Sequence, residues 1–179
     1  TGLSASYDTF VDIGAADGYF GVAAVCCGHF QRSVCFEISP AGRKSIRQAA
    51  ELNGVSDRVD IHGKADAAEL KDALSHSAGK AAVLIDIEGA EFAFMTDEVI
   101  ESLSSCHVII ELHDWMMEDG AALRARLMER LSGRFRSHVF RTGPRDLSHF
   151  TELEELPDSE RWLICDEGRG RSMEWLFLE

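Results

Sequence analysis

Proline is scarce in this chain, three in 179 residues, and no repeated or low-complexity stretch occurs. That excludes proline-rich linkers and solenoid arrays. No apolar run approaches the roughly 20 residues a membrane-spanning helix needs, so no membrane partner is expected. Cysteines number five, an odd count, and no two stand as C-x-x-C. A zinc site or a disulfide framework therefore has little support. Cys26 and Cys27 fall in an expected buried helix as small apolar fillers, and a reducing, cytoplasmic setting is expected. Basic charge is short as well: 18 Lys and Arg stand against 31 Asp and Glu, for a net charge of −13. So acidic a surface repels phosphate backbones, which argues against a nucleic-acid partner. The opening TGLSASYD lacks the features of a secretory signal. The chain starts at Thr1 and reaches an apolar strand by Phe10. It reads as one domain, residues 1–179, shortened at its N-terminus.

What is present alternates strand and helix patterns over the first 140 residues. Strands are expected at Thr9–Gly14, Ser33–Ile38, Arg58–His62, Ala81–Ile87 and His107–His113. Helices are expected at Gly18–Cys27, from Ser39-Pro40 to Asn53-Gly54, at Ala67–Ser77 and at Phe92–Leu103. A further helix carries Leu123, Leu127 and Leu131 on one stripe. Ser39 is a favourable cap, Pro40 is tolerated in a first turn, and Gly54 is a good stop. This rhythm predicts an α/β fold with a doubly wound, mostly parallel sheet. After Gly133 the pattern changes. Phe135–Phe140, Arg161–Asp166 and Met173–Leu178 read as strands without helices between them, which predicts antiparallel C-terminal strands. Trp162 and Trp175 are expected in the core. The charged connection from Thr142 to Glu160 is long enough to suggest a functional loop.

The chemistry concentrates at strand ends. In FVDIGAADGYFG, Phe10 to Gly21, a strand stops at Gly14 and turns through Ala15, Ala16 and Asp17. A helix then opens near Gly18, with Tyr19 and Phe20 in its first turn. Glycines let the backbone approach a ligand, and a helix N-terminus offers free N–H groups. A dinucleotide fingerprint requires G-x-G-x-x-G, whereas the spacing here is G-x-x-x-G-x-x-G. Asp12 and Asp17 would repel a pyrophosphate but attract a ligand bearing an ammonium and a sulfonium. S-adenosyl-L-methionine therefore fits better than NAD. Glu37, followed by Ile38, ends the second strand, where a carboxylate can accept both ribose hydroxyls. Ala65 and Asp66 follow the third strand; Asp66 could accept an adenine amino group, and it is equally a helix N-cap.

Asp86, Glu88 and Glu91 follow the fourth strand in DIEGAE, with Glu91 expected to open the next helix. Glu111, His113 and Asp114 end the fifth. The unperturbed pKa of a histidine is near neutral, which makes His113 the best general-base candidate for a hydroxyl acceptor, with Asp114 or Glu88 to orient it or serve instead. A plain strand-end histidine is the alternative. These acids could also gather Mg²⁺. The motif residues of the metal-dependent catechol-type enzymes are not reproduced, so no metal is expected. Seven arginines, Arg134, Arg136, Arg141, Arg145, Arg161, Arg169 and Arg171, lie in the C-terminal part. They could meet an acidic substrate or simply pair with surface acids. Trp115 could line an acceptor pocket.

VDIGAADGYF, FEISP, the Asn53-Gly54 stop, LIDIEGAEF and IIELH together resemble the FkbM-type S-adenosylmethionine-dependent methyltransferases. The resemblance runs from Phe10 to Asp114, and DIEGAE is its most specific element. It implies a Rossmann-like class I methyltransferase fold and cofactor contacts at Asp12, Gly14, Gly18, Glu37 and Asp86. It also implies transfer to a hydroxyl of a small molecule such as a sugar or secondary metabolite. An NAD-dependent oxidoreductase and a cofactor-binding module without catalysis are the competing readings.

Overall fold

A computed structural model describes residues 7–77, 80–143, 146–164 and 171–179. The first half runs β1 (Tyr7–Ile13), α1 (Tyr19–Cys26), β2 (Arg32–Phe36), α2 (Pro40–Leu52), β3 (Val59–His62), α3 (Ala67–Ser75) and β4 (Lys80–Ile85). The second half runs α4 (Glu91–Phe94), α5 (Asp97–Ser102), β5 (His107–Leu112), α6 (Gly120–Leu131), β6 (Ser137–Arg141), α7 (Asp158–Ile164) and β7 (Glu174–Leu178). The seven strands form one sheet in the order β3-β2-β1-β4-β5-β7-β6. The first five are parallel. β7 runs antiparallel to both β5 and β6, as the C-terminal pattern predicted.

Strand alternation sorts side chains between the two faces. Val11, Ile13, Val34 and Phe36 join the larger core with Leu70, Met95, Ile100, Leu127 and Leu131. Cys35, one residue out of phase, joins Val22, Val25, Ile46 and Ala50 of α1 and α2 on the other face. The chain builds outward from β1 to β3, then returns to place β4 on the other side of β1. The carboxyl ends of β1 and β4 therefore flank the switch point where open α/β sheets bind ligands. Among the described residues no helix is long and apolar enough to cross a membrane.

Four expectations are corrected. Residues Arg161–Ile164 belong to helix α7, not a strand, while residues 165 and 166 lie outside the described part. A short apolar run does not reveal its period, and the Glu160 and Arg161 amides bond back to the Pro157 carbonyl to start a helix. Trp162 is consequently exposed rather than in the core, and Trp175 is half-buried. Cys26 and Cys27 are exposed because α1 lasts two turns, ends at Cys26 and stops before Gly28. The predicted Phe92–Leu103 helix breaks at Met95, and Thr96 caps a new start by accepting from the Val99 amide.

Candidate active site

The glycine turn is held by sterics and by backbone pairing. Gly14 has φ +93°, and a Cβ there would lie 1.8 Å from the Asp86 carbonyl oxygen. Only glycine lets the β1 turn pass so close to the β4 loop. The Gly14 and Ala15 amides donate to the Phe36 carbonyl at 2.9 and 3.1 Å, and the Gly18 amide donates to Ala15 at 2.7 Å. Ala16 and Gly18 take positive φ values. Ala15 is buried, whereas Ala16 and Asp17 are exposed; the Asp17 carboxylate accepts the Tyr19 amide at 3.1 Å.

Glu37 ties this turn to its neighbour. One carboxylate oxygen accepts the Ala16 amide at 2.8 Å and the other the Ser39 amide at 2.7 Å. Each oxygen retains a further lone pair for a hydroxyl donor. Two residues that sequence reasoning missed complete this corner. Arg43 donates from Nη1 to the Glu37 and Ile38 carbonyls at 2.7 and 2.8 Å. Gly42 lets α2 close on the turn, since a Cβ there would be 2.6 Å from the Ala16 carbonyl oxygen. The G-R that follows Ser39-Pro40 was the available signal. Asp66 caps α3, accepting the Ala68 and Glu69 amides at 2.9 Å, with Ala65 buried beside it. Tyr19, Phe20 and Ile38 stand exposed at 74%, 48% and 75% around this rim, an unusual concentration of bare apolar surface.

Asp12 is buried beside the turn. It is buried on the α1 face of β1, near Gly21 and Cys35, and its Oδ2 is buried without a hydrogen-bond partner. Burial pushes its carboxyl up to about 7, against the nearby Gly21 backbone N–H that lowers it; Asp86, Glu37 and Asp17 add repulsion. It lies beneath the turn, at the start of α1.

The second half of the site gathers at His113, which is 2% exposed. Its Nε2 faces Asp86 Oδ1 at 3.8 Å and Glu88 Oε2 at 3.5 Å, while Nδ1 faces Glu91 Oε1 at 3.5 Å. Glu91 does more than open α4. It is fully buried and accepts the Gly89 amide at 2.8 Å and the His113 amide at 2.7 Å, stitching the β4 loop to the end of β5. Glu88, at φ +52°, and Gly89, at +97°, form a left-handed pair that turns Glu88 outward to solvent. Ligand atoms of Asp86, Glu88 and His113 lie within 4.8 Å of one another, a set that could hold a divalent cation or a shared proton.

Beside this cluster, past β5, lies a cavity of about 320 Å³. Trp115 is in its wall, with Asp114, Arg124, Arg141, Arg171 and Glu174. Asp114 faces Arg124 at 3.6 Å rather than His113. Several other C-terminal arginines are paired: Arg134 with Glu101, Arg136 with Glu179 and Arg161 with Asp158. Arg145 and Arg169 lie outside the described residues.

No protein-family model matches the sequence, and neither does any curated protein sequence. Solved structures do match. The Streptomyces achromogenes O-methyltransferase TomG, crystallised with S-adenosylmethionine, superposes with a TM-score of 0.62 at 16% identity, over 97% of this chain and 73% of that one. The Bacillus cereus O-methyltransferase in complex with S-adenosylhomocysteine gives 0.61 at 12% identity, over 97% and 74%. The Bacillus subtilis M1A22 tRNA methyltransferase TrmK gives 0.59 at 10% identity. The match covers 99% of this chain but 62% of TrmK. The fold is thus the Rossmann-like methyltransferase fold, with its antiparallel C-terminal strands.

Proposed function

We propose that residues 1–179 form one S-adenosyl-L-methionine-dependent methyltransferase domain of the EC 2.1.1 type, acting on a hydroxyl of a small molecule. The observation that carries this is the switch-point crevice. A turn that must contain glycine abuts Asp86 and is clipped by Glu37, and His113 stands among carboxylates one strand away. The crevice mouth carries Asp17, Glu37 and Asp86, and Asp86 Oδ1 is buried with no hydrogen-bond partner, facing His113 Nε2 at 3.8 Å. Such carboxylates suit a cationic ligand and oppose a pyrophosphate. When bound, S-adenosyl-L-methionine supplies a sulfonium methyl already activated for displacement.

The chain's residues then hold and exclude. Glu37 would accept the ribose hydroxyls, and Ala65 and Asp66 would border the adenine. Backbone from Gly14 to Gly18 and Asp86 would line the amino-acid end, and Tyr19, Phe20 and Ile38 would cover the rim. Asp12 supports the turn from below. His113 would take the acceptor hydroxyl's proton at Nε2, with Glu91 fixing the backbone that carries it and Glu88 bordering the acceptor. Asp114 would act on the acceptor side through Arg124. The matched fold is shared by enzymes named for tRNA and for O-methylation. The net charge of −13 favours the small acceptor, and the FkbM-type DIEGAE segment supports a sugar or secondary metabolite.

Calorimetric titration with S-adenosylhomocysteine tests the reading. Saturable binding is expected, weakened roughly ten-fold or more by Glu37→Ala, which removes charge-assisted hydrogen bonds. A folded wild type that binds none refutes it, and NAD is titrated next. Binding without turnover on any hydroxylated acceptor would instead mark a cofactor-binding module.

A further inference from the structure

The cavity past β5 inverts the character of the rest of the chain. The protein carries 31 acids to 18 bases, yet this wall holds three arginines against Asp114 and Glu174. The three are arranged unequally. Glu174 receives Arg124 Nη1 from α6 and Arg141 Nε from β6, the latter at 2.6 Å, so both guanidinium groups are held in place. These two arginines keep the Glu174 carboxyl below its ordinary value. Arg171 is different. Its guanidinium lies 4.5 Å from the Trp115 ring centroid, and no carboxylate among the described residues pairs with it. A cation stacked on an aromatic face keeps its N–H edge free for a planar anion.

Trp115 is also the wall shared with the reacting cluster. Its ring lies 6.4 Å from the His113 ring, and Met117 Sδ would touch a Cβ on Gly89 at 3.5 Å, so the β4 loop and the loop after β5 are in contact. Trp115 thus links the cavity wall beside Arg171 to His113 behind it. We infer that the methyl acceptor is a hydroxylated small molecule bearing a carboxylate or phosphate monoester. Its anionic group seats on Arg171 between Arg124 and Arg141, while its hydroxyl faces His113. This specificity role for Arg171 rests on the methyltransferase reading, but the anion subsite itself does not.

Matched probes test it by calorimetry on the full chain with saturating S-adenosylhomocysteine. 3,4-Dihydroxybenzoate is compared with 3,4-dihydroxybenzyl alcohol, and glucose 6-phosphate with glucose, which separates carboxylate from phosphate and aromatic from sugar. At least one anionic member should bind about ten-fold or more tighter than its neutral partner, the scale of one charge-assisted hydrogen-bond pair. Arg171→Gln should abolish that preference and Arg171→Lys restore part of it, with S-adenosylhomocysteine affinity unchanged in both. No preference for either anion, or a preference that survives Arg171→Gln, overturns the inference. Anion binding that depends on Arg171 in a protein that ignores S-adenosylhomocysteine would keep the subsite and discard the methyltransferase.

Discussion

Asp12→Asn should change the pH dependence of stability in a defined direction. The native carboxyl sits at about 7 because burial disfavours its charge, against 3.8 for the ordinary group. Below the unfolded value both states hold the proton and the full stabilising contribution is present. As pH rises, the unfolded chain releases its proton first, so stability is lost progressively until the native carboxyl also ionises near 7. Between pH 5 and 8 the loss attributable to this one group is roughly 2–3 kcal/mol. Asparagine cannot ionise and keeps an oxygen to accept the Gly21 amide. The variant should therefore gain on the wild type by that amount across the interval. In urea, with a slope of about 2 kcal/mol/M, the gap between the two midpoints should move by roughly 1–1.5 M. Urea melts of both proteins at pH 5, 6, 7 and 8 measure it, and subtraction removes the titration of every other group. A gap that stays constant from pH 5 to 8 would mean that Asp12 is ionised in the native state throughout, and the argument from burial would fail.

Gly14→Ala should prevent the β1 turn from closing on the β4 loop, costing more than about 3 kcal/mol or the fold itself, as read by thermal melting; a shift under a degree or two would contradict the 1.8 Å approach. Glu91→Ala strands the buried Gly89 and His113 amides and should cost about 3 kcal/mol, while Glu91→Gln retains part of the loss; equal stability of all three proteins would deny the stitch. His113→Gln should lower turnover by about a hundred-fold with S-adenosylhomocysteine affinity unchanged, and an undiminished rate would remove the histidine from catalysis. Turnover should withstand a chelator, since His113 is proposed as a proton acceptor; a loss restored by Mg²⁺ would assign Asp86, Glu88 and His113 to a cation.

The parallel half of the fold was legible because its signals are local. Ser39-Pro40, Asn53-Gly54 and the apolar run of β4 each state their own conformation. The strand-end positions of Gly14, Glu37, Asp86 and His113 were legible too. Their partners were not. That Asp12 turns inward, that Glu91 receives the distant His113 amide, and that Asp114 faces Arg124 instead of His113 all depend on which elements pack together. The cavity wall shows the same limit. Arg124 drew no attention in sequence, and its meeting with Glu174 spans 50 positions of chain. The helix α7 was misread because W-L-I alone carries no period, and Pro157 with its acidic first turn was the better clue.

The contact between Gly14 and the Asp86 carbonyl bears on how this protein could be redesigned. The Asp86 amide also donates to the Ile13 carbonyl at 3.0 Å, so the two loops share a single seam of main chain. Reshaping one loop to suit a new acceptor would shift the other, and the donor's seat with it. A library aimed at acceptor choice should therefore leave residues 12–18 and 85–91 alone. Diversity belongs instead at Trp115, Arg124, Arg141 and Arg171, which reach the cavity from separate parts of the chain and touch that seam nowhere among the described contacts.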